Sequence, residues 1–144
     1  MISKEALSAH LRLGLALVVS IFFLLAIFSC TKNYSDEMMA PKAAIATDLA
    51  RAVIAFSEKN PTEAASLDDQ ELVRRATDFD PNLLSPYDGL VVRGTSTGII
   101  LVCTGDGKRA LIEDAECTTK VDKLLWSNSS SPCQFTLNIY SLCQ

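Results

Sequence analysis

LVVRGTSTGIILVCTGDGKRALI, residues 90–112, is the stretch that decides the fold. It holds three β-rich runs, at 90–93, 99–103 and 109–112, separated by Gly94-Thr95-Ser96-Thr97-Gly98 and by a turn containing Gly105-Asp106-Gly107. Asp-Gly between such runs is a hairpin signal, because both residues tolerate the positive φ that a tight reversal needs. The pattern predicts a three-stranded antiparallel meander. A sheet that small needs a cover on one face to be stable.

The residues before it supply that cover. Pro41 suits the first turn of a helix, and Ala44, Ile45, Leu49, Ala52, Val53 and Phe56 recur at three and four residues, which predicts an amphipathic helix of about five turns. Asn60-Pro61 stops it and 61–66 reads as a loop. A shorter helix is expected over 67–77, with Ser66 as N-cap, Asp68 and Asp69 in the first turn, and Leu72, Val73 and Ala76 on one face. Residues 78–89, with prolines, aspartates and a glycine, form a connecting loop. On the far side of the meander, Leu124, Leu125 and Trp126 anchor a less regular tail, 128–132 is a turn, and 135–140 alternates like a short fourth strand. The expected class is α+β: an N-terminal membrane segment, then an amphipathic helix packed on a small antiparallel β-meander stapled by disulfides.

The membrane segment is read from residues 13–29, LGLALVVSIFFLLAIFS, which carry no charge and follow Lys4, Glu5, His10 and Arg12. A run of about 17 apolar residues is at the short end of what spans a bilayer and is longer than a minimal signal core, so cleaved signal and retained anchor both fit. Lys4 and Arg12 before the block, with Asp36 and Glu37 after it, leave the N-terminus cytoplasmic and send the rest outward. The organisation expected is 1–29 signal peptide or anchor, 30–40 a polar tether (TKNYSDEMMA follows Cys30), and 41–144 an extracytoplasmic domain.

Ile27-Phe28-Ser29-Cys30 closes the apolar block and resembles the lipobox of bacterial lipoproteins. Ile27 and Ser29 fit that motif, while Phe28 is bulkier than the usual middle residue. The resemblance implies cleavage before Cys30 and lipid attachment to it. Thr31 is similar to the next residue of lipoproteins that the inner-membrane aspartate signal does not retain. The implied localisation is the cell envelope, as an outer-membrane lipoprotein or an inner-membrane anchor with the domain in the periplasm.

The chain has five cysteines, and setting aside Cys30 as the lipid carrier leaves Cys103, Cys117, Cys133 and Cys143. Four cysteines in a small exported domain are the pattern of two disulfides. Three pairings are possible; 103 with 117 and 133 with 143 is favoured, because the hairpin after Cys103 brings the chain back. No Cys-x-x-Cys is present, so structural bonds are expected rather than a redox enzyme.

A second layout resemblance, resting on the apolar segment, amphipathic helix, meander and C-terminal cysteines, is to type IV pilins and pseudopilins. Gly14 after Arg12 is similar to the residue at which their leader ends. Val19 occupies the place of their glutamate.

Function classes narrow by chemistry. The one histidine, His10, lies in the leader, so the exported part has none to act as general base, triad member or metal ligand. The formal charge is −4 over the whole chain, and the leader removes Lys4 and Arg12 against only Glu5, so the domain is acidic and has no footprint for nucleic acid. Asp78, Asp80 and Asn82 alternate as at the start of a calcium loop, but Leu83 and Gly89 stand where that loop needs glycine and glutamate, so they read as turn residues. Glu113, Asp114 and Glu116 read as a solvated hairpin end. Asn33-Tyr34-Ser35 and Asn128-Ser129-Ser130 match glycosylation sequons, relevant only in a eukaryotic secretory route. The expectation is a non-enzymatic protein without cofactor or metal that touches the membrane through a lipid or its N-terminal helix and binds another envelope protein, as immunity, exclusion or accessory secretion proteins do. A pilin-like structural subunit is the alternative and a small periplasmic enzyme the third class.

Overall fold

A computed structural model gives the structure of residues 34–143. The membrane segment 1–29, Gly14, Val19, Cys30 and Asn33 lie outside the described residues. Among those described, no helix is long and apolar enough to cross a membrane.

The compact domain begins at Tyr34, inside the stretch expected to be tether. Helix α1 runs over Asp36–Ala44: the Ser35 hydroxyl accepts from Met38 N at 3.4 Å, Asp36 and Glu37 occupy the first turn, and Lys42 the last. These are the charges a helix dipole favours at each end. Met39 is fully buried and starts the core, while Met38 beside it is exposed. Pro41 therefore stands inside α1 rather than in the first turn expected for it, where it removes one intrahelical donor.

The expected five-turn helix is also divided. Helix α2 covers Ala46–Lys59, and between the two Ile45 leaves helical geometry at φ −106°, ψ 0°. At the break the Lys42 carbonyl accepts from Ile45 N at 3.3 Å and from the Tyr87 hydroxyl at 2.7 Å, while Lys42 Nζ donates to the Pro86 carbonyl. Leu49, Ala50 and Val53 of α2 are fully buried. Pro61–Ala64, expected as loop, forms a one-turn helix, α3, with proline at its first position. Helix α4 is Asp69–Ala76, and its N-cap is Asp68 rather than Ser66. Asp68 Oδ1 accepts from Gln70 N at 3.0 Å and Glu71 N at 2.9 Å, whereas the Ser66 hydroxyl turns back to the Glu63 carbonyl. Two 3-10 turns, Pro81–Leu83 and Ser85–Tyr87, lead into the sheet.

The meander is antiparallel in the order β1 (Val91–Gly94), β2 (Ile99–Cys103), β3 (Ala110–Ala115) and β4 (Lys123–Leu124). Gly98 at φ 81° and Gly107 at φ 68° make the two reversals. Gly94 serves a different need: a Cβ there would stand 2.7 Å from Val73 Cγ2, so its absence lets α4 pack closely on β1. The fourth strand is Lys123–Leu124, not the 135–140 stretch expected. That tail instead crosses a face of the sheet and ends in a helical turn, α5, at Ile139–Leu142.

Alternation sorts the sheet into two faces. Ile100, Val102 and Ile112 join Leu49, Val53, Leu72 and Val73 in the main core under the helices. Leu101, Cys103 and Ala110 form a smaller core with Cys133, against which Phe135 packs from the tail.

The disulfides are Cys103–Cys133 and Cys117–Cys143, with Cα–Cα separations of 5.8 and 5.6 Å. The pairing expected from proximity in sequence is overturned by the register. Cys103 pairs with Ala110 at one end of the β2–β3 ladder, whereas Cys117 follows Ala115, which pairs with Ile99 at the other end. Four residues of strand separate the two ends, roughly 14 Å at strand rise, about twice what a disulfide spans.

Candidate functional site

Where α4, the 3-10 turns and β1 meet, they leave an open groove of about 420 Å³. Its floor is apolar, from Val73, Leu84, Leu90 and Val92, and its rim carries Asp68, Glu71 and Asp88. Each part follows from the local fold. Asp68 and Glu71 are there because the first turn of α4 opens beside the groove, and Leu90 and Val92 because β1 begins there. The rim cation, Arg74, is held by Glu71 on one side and by Asp78 at 3.6 Å on the other, so among the described residues Asp68 and Asp88 have no ion-pair partner, although one oxygen of Asp68 caps α4. The Arg74 guanidinium lowers the Glu71 carboxyl below its ordinary value, chiefly by hydrogen bonding. Tyr87, in the wall, is buried, and burial pushes its phenol well above the ordinary value, helped by the charges of Asp114 and Asp48. It acts as a hydroxyl donor to α1 and not as a base. Phe79, in the loop that leaves α4, is 75% exposed.

The acidic cluster expected at a solvated hairpin end is divided and mostly internal. β3 continues to Ala115, past the predicted 112, so Glu113 and Asp114 lie within the strand and both are fully buried. Glu113 faces the tail, where it accepts from Thr136 N, from the Thr136 hydroxyl and, at 2.9 Å, from Leu137 N. Lys123, its cross-strand partner, lies 3.5 Å away. Asp114 faces the helices, accepting from Thr47 Oγ1 at 2.9 Å and Asp122 N at 3.2 Å. Desolvation raises its carboxyl above the ordinary value. Both carboxylates hold structure: one fastens the tail, the other a loop and a helix.

The other polar candidates are also consumed locally. Asp80 Oδ1 accepts from Asn82 N at 3.1 Å and caps a 3-10 turn, and Asp78 pairs with Arg75 at 2.8 Å. Among the described residues no group of three histidines, cysteines or carboxylates is placed to hold a metal. Asn128 Oδ1 accepts from Ser130 N and its hydroxyl, closing the turn expected there.

Sequence reasoning missed the groove entirely. Its residues come from segments that read separately as helix, loop and strand, and no local pattern joins them. Arg93 is the one miss that carried a signal, since it is a cation inside an apolar strand. It bonds Asp69 Oδ2 through Nε at 2.8 Å and the Cys133 carbonyl at 3.2 Å, and it lies 5.4 Å from the centroid of the Phe135 ring. No protein-family model, curated protein or solved structure matches the chain.

Proposed function

We propose that this chain is a non-enzymatic, envelope-anchored binding domain whose groove between α4 and β1 takes a segment of another protein. The groove itself carries the reading: its apolar floor offers burial to an aliphatic or aromatic side chain, and the rim carboxylates of Asp68 and Asp88, which have no ion-pair partner among the described residues, favour lysine or arginine beside it. Cys103, closed to Cys133, pairs with Val91 in β1 beside the groove residues Leu90 and Val92, which stiffens that wall and lowers the entropic cost of binding. The partner is therefore a protein segment with an apolar anchor flanked by cations, and the biological roles that suit such a domain are immunity, exclusion or accessory secretion. Attachment is through a lipid on Cys30 or through the retained segment 1–29.

A photo-crosslinking residue at Leu90 in the full membrane-bound chain tests this. The expected result is one discrete adduct whose crosslinked peptide carries lysine or arginine, lost when Asp88→Lys is combined with Asp68→Asn, which removes the charge and keeps a cap for α4. No adduct, or one indifferent to these charge changes, overturns the groove as the binding surface. The intact mass of the membrane-extracted protein tests the anchor: cleavage before Cys30 with added acyl mass supports the lipoprotein, and an unprocessed chain the signal anchor.

A pilin-like subunit is the second reading. The observation that favours it is the helical start at Asp36, which shortens the polar interval after Cys30 and places helix before meander and cysteines, as that layout requires. Cleavage after Gly14 in the same mass measurement would support it.

A further inference from the structure

Two successive residues of β1 join the sheet to α4 beside the groove. At Gly94 a Cβ would stand 2.7 Å from Val73 Cγ2, so the bare backbone lets the middle of α4 come close. Arg93 faces the opposite side of the sheet, and its guanidinium reaches round β1, the end strand, to Asp69, the first residue of α4. Asp69 and Val73 are one turn apart on one face of the helix, so the two contacts together fix the distance of α4 from β1 and its slope.

The guanidinium is itself firmly seated. Nε and Nη2 both donate to Asp69 Oδ2, Nε at 2.8 Å, while Nη1 donates to the Cys133 carbonyl at 3.2 Å and the group lies 5.4 Å from the Phe135 ring centroid. Cys133 is closed to Cys103, and its backbone N–H donates to the Lys108 carbonyl at 3.0 Å. A planar fork that holds a carboxylate and a carbonyl at once belongs to arginine and not to lysine. Asp69 takes no part in lining the groove, but its neighbours Asp68, Gln70 and Glu71 do, and on β1 so does Val92, the residue before Arg93. One side chain thus links the strand of the groove floor to the turn that carries the acidic rim.

Resting on the reading of this groove as a binding site, we infer that Arg93 is its positioning residue: by holding Asp69 it sets where the Asp68 carboxylate stands over the apolar floor, and so makes the groove select a segment bearing lysine or arginine over one that is merely apolar. Without the fork the floor remains, while the first turn of α4 frays and takes Asp68 with it. Capture then persists through burial and loses its preference for a cation.

Arg93→Lys in the full membrane-bound chain tests this, since it keeps the charge and removes the fork. The first readout is hydrogen exchange with no partner present. Expected is exchange at least about tenfold faster at Gln70, Glu71 and Leu72, whose amides bond Asp68, with residues 73–76, β2 and the amides of Thr136 and Leu137 unchanged. Parent-like protection at 70–72 overturns the inference, and so does loss of protection across α4 and β2 together, which is the mark of a residue serving only the fold. The second readout is the photo-crosslink from Leu90 as KCl is raised from roughly 50 to 500 mM, which screens exposed charges. The parent adduct should weaken at least about fivefold with salt, and the Arg93→Lys adduct should change by less than about twofold. A salt dependence equal to the parent's overturns the inference and leaves the groove as the binding surface. Absence of an adduct from the parent overturns the groove as the binding surface, and this inference with it.

Discussion

The indole N–H of Trp126 donates to the Asp36 carboxylate at 2.6 Å across ninety positions of sequence. Asp36 opens α1 and Trp126 follows β4, so this bond ties the first turn of the domain to the strand most distant from it in the chain. Tyr34, just before α1, adds a second tie to the same region, with the Arg109 guanidinium 5.4 Å from its ring centroid while that guanidinium bonds the Trp126 carbonyl.

Asp36→Ala should therefore cost more than a surface carboxylate usually does. A charge-assisted bond to a buried indole and a favourable first-turn charge are both lost, which together destabilise by about 2 kcal/mol. Trp126 is the only tryptophan, so urea unfolding followed by its fluorescence measures the loss directly, and a red-shifted native spectrum is expected as the ring gains solvent.

Glu113→Ala should loosen the tail without unfolding the helical side. The substitution leaves the amides of Thr136 and Leu137 without their acceptor and Lys123 without its ion-pair partner, at a cost of about 2–4 kcal/mol. Glu113→Gln keeps an acceptor for both amides and should lose about half as much. Hydrogen exchange at residues 136 and 137 separates the two variants.

The sheet and α4 were legible because their signals are local. β2 reads identically in sequence and structure, since an uninterrupted apolar run between two glycine turns has one way to be buried. The fourth strand was misplaced because alternation in 135–137 reflects a tail lying on the sheet face, with Phe135 and Leu137 half-buried, and not a ladder. Helix α1 is not legible because its buried face is only Met39 and Ala43, too few for a period to emerge. Glu113 and Asp114 looked solvated because charge is the usual mark of exposure; donors from residues 47, 122, 136 and 137 compensate them, and no sequence spacing announces that. The groove is legible only once α4 and β1 are placed side by side.

Asp114 gives the fold an acid-side signature. Its carboxyl is raised by desolvation from the ordinary 3.8. Between that value and its raised value in the folded state, the native protein binds more protons than the unfolded chain, so this residue makes stability fall as pH rises through the window and contributes its full cost above it. Asp114→Asn keeps an acceptor for Asp122 N and offers a donor to the Thr47 hydroxyl. Melting temperature plotted against pH should lose that decline in the variant, and the variant should match or exceed the parent at neutral pH.

Ser57→Ala should stabilise. Ser57 lies on α2, 7% exposed, and its hydroxyl is the buried side-chain oxygen without a hydrogen-bond partner among the described residues. Removing it ends an uncompensated desolvation and raises helix propensity, a gain of about 1 kcal/mol. Thermal unfolding measures it, and a loss of stability would mean that the hydroxyl has a partner in solution.

The brevity of β4 matters beyond the fold. A sheet rim of two residues, Lys123 and Leu124, at one side, and of four on the other where α4 lies against β1, gives a neighbouring copy almost no backbone to extend. Copies crowded together would stay separate bodies rather than zip into continuous ribbons, and recognition has to pass through side chains.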